Sequence, residues 1–335
     1  MRIGSIELDQ QVLLIAEIGN NHEGSYGLAE DLIGEASRAG AGAVKFQTIV
    51  PERLIAAHDA SRLQQLEKFS LTYKEFEKLS RVAAAENIVF LSTPFDIESA
   101  QFLESLVPAF KLASSDNNFW ALIDVIAKSG KPVIASTGML DLDGCIRLKE
   151  FIHGNWKAAG IAPGLALLHC VTQYPTPAAA ANLGAIKELA ALGVTPGYSD
   201  HTLGIEAATL SVALGARIIE KHFTLSKDQS DFRDHQLSAD PDELRHLSQR
   251  ISEIEELLGS GRKIPTDSEV EIAPALRRSI VANHDLPAGH ILCQKDFNWV
   301  RQGGGIETGS EEKLVGKTLE QPLKSGAPIT LNDVR

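Results

Sequence analysis

One rhythm limits what this chain can fold into. A short β-rich run, a polar turn and an amphipathic helical stretch recur eight times. The runs predict strands at 13–17, 43–46, 88–91, 109–112, 132–135, 165–169, 194–198 and 217–222. Helical patterns lie between them, at 28–39, 73–85, 96–106, 119–128, 143–158, 183–192, 205–214 and 241–258. Thr72 with Glu75 forms a capping box before the second, and Asp240 with Pro241 opens the last. Strands alternating with helices imply a parallel sheet. Eight units in about 250 residues match a closed (β/α)8 TIM barrel. A doubly wound open sheet is disfavoured because no GxGxxG opens the first unit. Residues 2–12 predict a small hairpin capping the units after it.

Beyond the last helical pattern the texture changes. Residues 259–275, with Gly259-Ser260-Gly261 and Thr266-Asp267-Ser268-Glu269, read as a linker. Residues 276–335 hold short β-rich pieces between frequent turns and predict a small all-β module. At about 60 residues it is near the lower limit for burying its own core. The expected division is therefore a catalytic barrel over 1–258, a linker over 259–275 and the small module over 276–335.

A net charge of −12 over 335 residues argues against a general binder of nucleic acid or anionic membranes. The three cysteines, Cys145, Cys170 and Cys293, form no CxxC and read as reduced thiols of a cytoplasmic protein. No run is long and apolar enough for a bilayer, and no signal peptide is visible.

In a barrel, catalytic groups belong at the C-terminal ends of the strands. Polar residues sit there strand after strand: Glu17; Lys45 and Gln47; Thr93; Lys111, Ser114 and Asp116; Ser136; Thr172 and Tyr174; Ser199 and His201; Glu220 and His222. Period two puts Lys45 with Gln47, Ser199 with His201, and Glu220 with His222 on common faces. Neighbouring strand ends lie roughly 5 Å apart, so His201 and His222 could share one metal ion. Two imidazoles with open positions suit Mn²⁺ better than a strictly oxygen-loving Mg²⁺; Co²⁺ is a further option. Zinc with three protein ligands lacks a third ligand by spacing. Lys45 and Lys111, with Thr93, Ser114, Ser136 and Ser199, suit a substrate carrying phosphate and carboxylate. Lys111 has another possible role, a Schiff base with a carbonyl substrate that needs no metal.

Long ordered motifs carry a resemblance. Ala16-Glu17-Ile18-Gly19-Asn20-Asn21-His22, Lys45-Phe46-Gln47-Thr48, Ser92-Thr93-Pro94-Phe95-Asp96, Ser136-Thr137-Gly138-Met139, Tyr174-Pro175-Thr176, Tyr198-Ser199-Asp200-His201-Thr202 and Glu220-Lys221-His222-Phe223-Thr224 resemble the sialic acid synthase family. The tail resembles that family's C-terminal antifreeze-like (SAF) domain. The resemblance implies a transferase that condenses phosphoenolpyruvate with an N-acetylmannosamine-type sugar. The products would be a nine-carbon 2-keto acid and phosphate. It implies a metal on His201 and His222, and phosphoenolpyruvate held by Lys45, Thr93, Lys111, Ser114, Ser136, Thr172 and Ser199. It implies Glu17 as a proton carrier beside Lys45 and Lys111, and Gln47, Asp116, Tyr174 and Asp234 at the sugar. It further implies a domain-swapped homodimer whose tail offers Arg301 to the sugar's acetamido group.

The departures fall on the sugar side. Thr172 stands where neuraminate-forming members place asparagine. Ser230-Asp231-Phe232-Arg233-Asp234-His235 replaces the usual Pro-Gly-Pro-Asp-His segment, and the family's Arg-Pro-Gly-x-Gly-Ile reads Arg301-Gln302-Gly303-Gly304-Gly305-Ile306. They leave the acceptor open between an N-acetylmannosamine-type sugar, giving sialic acid, and a different acetamido sugar, such as a precursor of legionaminic acid. Two readings compete: a Schiff-base aldolase using Lys111, and a non-catalytic carbohydrate-binding protein.

Overall fold

A computed structural model of the chain describes residues 1–301 and 304–335. It divides into two compact units, Met1–Gly259 and Ser260–Arg335. In the first, eight strands run β1 (Leu13–Gly19), β2 (Ala43–Thr48), β3 (Val89–Pro94), β4 (Phe110–Leu112), β5 (Val133–Ser136), β6 (Leu165–Cys170), β7 (Thr195–Asp200) and β8 (Ile218–His222). Parallel ladders join them in the order β3-β2-β1-β8-β7-β6-β5-β4. The two ends of that order, β3 and β4, lie side by side. The sheet is thus a closed barrel with strands in sequence order around the ring.

Alternation explains how each strand serves two interiors. Its outward side chains meet the helices, and Leu14, Val44, Phe90 and Ile219 belong to that outer core. Its inward side chains fill the barrel, where the lower layer is apolar: Leu13, Ile15, Ala43, Leu91, Ala109, Ile134, Ala166, Leu168 and Ile218. Ile3 and Leu8 join this layer. They come from the N-terminal segment, whose strands Arg2–Ile3 and Ile6–Glu7 pair antiparallel. The predicted hairpin therefore plugs the lower mouth of the barrel. Gly197 keeps the layer closed, since a Cβ there would lie 2.7 Å from the Ile218 carbonyl oxygen.

The helices follow their caps. Thr72 and Glu75 form the predicted capping box, and Tyr73–Ala85 buries Phe76, Leu79 and Ala83 at helical spacing. Asp240 and Glu243 do the same for Pro241–Leu258. Two further helices, Pro51–Leu54 and Ala60–Phe69, occupy the connection after β2, where the sequence predicted none. Among the described residues no helix is long and apolar enough to cross a membrane.

The second unit differs from expectation at its start. The linker predicted over 259–275 contains a helix, Asp267–Leu276, opened by a Thr266–Glu269 capping box. The sequence signal is the same four-residue pattern as Thr72–Glu75. Strands β9 (Arg278–Ala282) and β10 (Phe297–Arg301) then pair antiparallel. This unit buries a small core of its own, built from Ile280, Ala282, Leu286, Leu292, Phe297, Leu314, Leu319 and Ile329.

Candidate active site

The inward alternation continues upward from the apolar layer, and the chemistry of the side chains changes. Two residues beyond Ile15 on β1 comes Glu17, and beyond Ala43 on β2 come Lys45 and Gln47. Lys111 follows Ala109, Ser136 follows Ile134, Ser199 follows Gly197, and Glu220 with His222 follow Ile218. A layer of two cations and two anions forms, each with 6 % exposure or less. Lys45 Nζ lies 2.8 Å from Glu17 Oε2 and 3.8 Å from Glu220 Oε2. Lys111 Nζ lies 3.7 Å from the same Glu220 oxygen. Hydroxyls complete the set: Lys45 donates to Thr93 Oγ1 (3.1 Å), Lys111 to Ser136 Oγ (2.6 Å), and Ser199 to Glu220 Oε1 (2.9 Å).

Two features aim Glu17. Its strand changes register against β2 between Glu17 and Gly19, an irregularity of the kind common beside functional sites. Gly19 takes φ +54°, and a Cβ there would lie 3.2 Å from Glu17 Oε1. That oxygen accepts a hydrogen bond from Gln47 Nε2 (3.3 Å), and Gln47 is in turn held by Asn20 Nδ2 (3.0 Å).

The four charges do not titrate alike. Burial pushes the Glu17 carboxyl up to about 7, with Lys45 opposing. Glu220 stays below the usual range; burial works against it, but Lys111 and Lys45 together outweigh burial. Burial draws Lys111 down, with Glu220 opposing. Burial works against the Lys45 charge too, yet Glu17 and Glu220 hold its pKa above the usual lysine value. Glu17 is thus the weaker acid of the two carboxyls and able to exchange a proton near neutrality.

Above this layer stand the histidines. The His201 and His222 ring centroids are 5.4 Å apart. His201 Nδ1 donates to the Val171 carbonyl oxygen at 2.8 Å, so the neutral ring carries its lone pair on Nε2; burial opposes the charge, but Cys170 and the Val171 carbonyl together raise the His201 pKa. His222 is held in the neutral form chiefly by burial, with His201 and Lys45 adding to the effect. Its Nδ1 is buried without a hydrogen-bond partner, as is Glu220 Oε2. The Tyr174 ring packs 4.0 Å from His201, and the Arg233 guanidinium lies 5.1 Å over Tyr174.

A cavity of about 890 Å³ opens over these groups. Its wall brings together Glu17, Lys45, Gln47, Thr93, Lys111, Ser114, Ser136, Thr172, Tyr174, Ser199, His201, His222 and Asp234. One residue of the first unit expected at the sugar, Asp116, is not part of it. Asp116 ends the short turn Ser114–Asp116; its carboxylate accepts from Ser115 Oγ (2.6 Å) and sits off the wall. Arg301 is exposed at the end of β10 in the second unit, opposite Arg278. In the pattern after it, Gln302 and Gly303 lie outside the described residues.

Sequence reasoning missed one wall of the cavity. Helix Ala60–Phe69 contributes Arg62, Gln65, Leu66, Lys68 and Phe69. Phe69 meets Phe232 edge to face at 5.0 Å, so the connections after β2 and β8 touch across the mouth. The readable signals were Asp59, which caps the helix by accepting from Arg62 N, and Leu63, Leu66 and Phe69 at a spacing of three.

The model of the NeuB family matches residues 32–263, and that of the SAF domain residues 277–335. The chain belongs to the NeuB family. Its NeuB relatives include an uncharacterized protein of Methanocaldococcus jannaschii, 42 % identical, covering 94 % of this chain and 91 % of the relative. The N,N'-diacetyllegionaminic acid synthase of Campylobacter jejuni is 37 % identical and covers 94 % and 98 %. Among solved structures, the N-acetylneuraminic acid synthetase of Leptospira borgpetersenii in complex with citrate superposes with a TM-score of 0.76. It is 35 % identical and covers 82 % of this chain and 94 % of that one. The chain is accordingly a transferase-type enzyme, and the non-catalytic reading is set aside.

Proposed function

We propose that this enzyme condenses phosphoenolpyruvate with an acetamido sugar of the legionaminic acid series, giving a nine-carbon 2-keto acid and phosphate. The observation that carries the reading is the buried layer of Lys45, Lys111, Glu17 and Glu220 beneath His201 and His222, in a chain of the NeuB family. C3 of phosphoenolpyruvate bonds to the sugar aldehyde carbon, water adds at C2, and phosphate departs with cleavage of its C–O bond. The aldehyde oxygen gains a proton and becomes a hydroxyl.

The chain's own groups fit these needs. Lys45 contacts Glu17, Glu220 and Thr93, and Lys111 contacts Glu220, Ser136 and the Leu112 carbonyl, so an incoming phosphate and carboxylate compete for both cations. As Lys45 turns to the substrate, Glu17 loses its cation and holds its proton more tightly. That poises it to protonate the aldehyde oxygen or to hold water near it. Thr93, Ser114, Ser136, Thr172 and Ser199 supply neutral donors along the same wall.

His201 and His222 are the residues that would hold a divalent ion. The His222 ring is kept neutral and its Nδ1 is a buried polar atom still lacking a partner, while His201 would offer Nε2 once its proton is released to the ion. Among the described residues no group of three or more His, Cys, Asp or Glu is arranged around an ion. Two protein ligands leave positions for substrate and water, which suits Mn²⁺ better than a closed zinc site. When bound, such an ion supplies Lewis-acid polarisation and a template for the reactants.

The sugar assignment rests on the mouth. Ile49, Leu54, Leu66, Phe69, Phe95 and Phe232 give it an apolar side, which favours an acceptor with a methyl group and a second acetamido group over one richer in hydroxyls. The 37 % identical synthase of the legionaminic series supports the same direction. Tyr174 and Asp234 line this end of the cavity. We place Arg301 at the acetamido group through a tail exchanged within a homodimer; Arg301→Ala should then raise the sugar KM and leave that for phosphoenolpyruvate unchanged.

The deciding experiment is phosphate release from phosphoenolpyruvate against a panel of acetamido hexoses, with and without Mn²⁺, followed by the mass of the product. No release with any sugar would overturn the reading. Borohydride trapping of substrate on Lys111, with full activity in chelator, would replace it by the Schiff-base route. Burial lowers the Lys111 pKa, which suits that route, whereas its contacts to Ser136 Oγ, the Leu112 carbonyl (3.0 Å) and Glu220 oppose it by holding the charge.

A further inference from the structure

We infer that Asp200 and Lys221, which face away from the cavity, form a clamp that sets the His201–His222 separation. The inference rests on reading those two histidines as the ligands of a divalent ion. Ile219 on β8 and Phe223 just beyond its end flank Lys221 on the outward face and belong to the outer apolar core, as does Tyr198 beside Asp200 on β7. An apolar pair is what such positions usually carry. Instead there is an ion pair with side-chain exposures of 1 % and 0 %.

Its hydrogen bonds explain what it does. The β7–β8 ladder ends where Asp200 faces Lys221. His201, the next residue, therefore has no ladder partner on β8. Lys221 Nζ donates to Asp200 Oδ2 at 2.9 Å and to the Thr202 carbonyl oxygen at 2.5 Å. Asp200 Oδ1 accepts from the Thr202 backbone N–H at 2.8 Å. The two charged groups thus grip Thr202, the residue after His201, by its N–H and by its carbonyl. They tie it to the strand that carries His222. The ladder's alignment is extended by one residue through side chains, at the point where the backbone can no longer supply it.

Stability does not account for this arrangement. A buried ion pair costs several kcal/mol per ion in desolvation, and replacing it with apolar groups of similar volume is often neutral or stabilising. Position is what the pair provides. Asp200 and Lys221 touch neither substrate nor ion, so both are positioning residues rather than catalytic ones.

The test is the double variant Asp200→Asn, Lys221→Met, which removes both charges while keeping volume. Calorimetric titration with Mn²⁺ should show affinity weakened by about 10- to 100-fold relative to wild type, the range for groups that orient metal ligands. Its thermal midpoint should equal or exceed that of wild type. The crystal structure should show the two rings displaced from their 5.4 Å separation or His201 in more than one rotamer. His201→Ala serves as the control that the heat belongs to this site. Affinity within twofold of wild type together with unmoved rings overturns the clamp, and so does a fall in midpoint alone. If the double variant does not fold, Asp200→Asn alone should weaken Mn²⁺ in the same direction, and unchanged affinity there is equally fatal. If wild type itself takes up no Mn²⁺, the ion reading fails, and the ring positions in the variant's crystal structure decide the clamp by themselves.

Discussion

The lower and upper halves of the barrel interior follow one backbone rule and have opposite characters. Both are made by inward residues two apart on the same strands. Below, Leu13, Ile15, Ala43, Leu91, Ile134, Leu168 and Ile218 exclude water and close around Ile3 and Leu8 from the N-terminal hairpin. Above, Glu17, Lys45, Lys111 and Glu220 are just as buried and carry charge. Charges cannot rest in such a place without partners, so each has been given one, and the partners are those that an anionic substrate could displace. The lower half supports the structure that the upper half strains. Substitutions in the two halves should therefore separate stability from turnover.

The largest effect belongs to the upper half. Glu17→Gln should lower kcat by about 10²- to 10⁴-fold, the usual share of a positioned proton carrier, with the phosphoenolpyruvate KM changed far less. The wild-type rate should carry a pH limb near 7 that the variant lacks. Stability should move the other way. The folded pKa of about 7 lies above the ordinary 4.5, so folding favours the protonated carboxyl. That contribution is whole below pH 4.5 and is lost as pH rises to 7. The variant's thermal midpoint should gain on wild type across that window. A variant that loses stability and keeps its turnover would erase the contrast between the layers.

Leu168→Ala tests the lower half. It should cost roughly 2–5 kcal/mol in chemical denaturation, because the ring around it cannot collapse far. Turnover at 25 °C should stay within a few-fold of wild type. A kcat loss as large as that of Glu17→Gln would show that the apolar layer is no passive floor.

His22 gives a third check, away from both layers, where its ring packs against Phe46 of the outer core. Burial holds its imidazole down at about 4, and its Nδ1 accepts from the Gly24 N–H at 3.1 Å. The fold therefore keeps it neutral. Its contribution is complete above pH 6.5 and is lost as pH falls towards 4, because the unfolded chain takes up the proton first. The loss should approach about 3 kcal/mol at the acid end. His22→Gln should flatten the acid limb of stability; an unchanged limb would place the acid sensitivity elsewhere.

How much of this was legible in the sequence depends on the range of the interactions. The barrel and its polar ring were readable because period two and helix caps are local. Lys45, Gln47, Glu220 and His222 declare their common face by spacing alone. Asp116 did not, because a three-residue turn rotates it away from Ser114, its neighbour on the ring. The Asp200–Lys221 clamp stood inside two recognised motifs but on the other face, where nothing local marks a pairing between residues 21 apart. Helix Ala60–Phe69 was missed because it is short, mostly polar outside and embedded in a connection. Thr266–Glu269 was a cap in plain view, masked by the glycines before it.

The missed helix supplies the smallest of the expected effects and bears on the sugar. Phe69 and Phe232 hold the mouth together by one edge-to-face contact at 5.0 Å. Such a pair contributes about 0.5–1.5 kcal/mol beyond its buried area. Phe69→Ala should therefore raise the sugar KM by about 2- to 12-fold, a ratio that corresponds to that energy at 25 °C. The phosphoenolpyruvate KM should stay put, because Lys45 and Lys111 lie below the mouth and owe nothing to this contact. Phe69→Leu, which keeps an apolar surface, should recover part of the loss. The ratio between a methyl-bearing acceptor and its hydroxymethyl counterpart is the sharper readout. If the apolar side of the mouth selects the sugar, that ratio should fall in Phe69→Ala as the wall opens. Equal losses for both acceptors would mean that Phe69 closes the site without choosing what enters it.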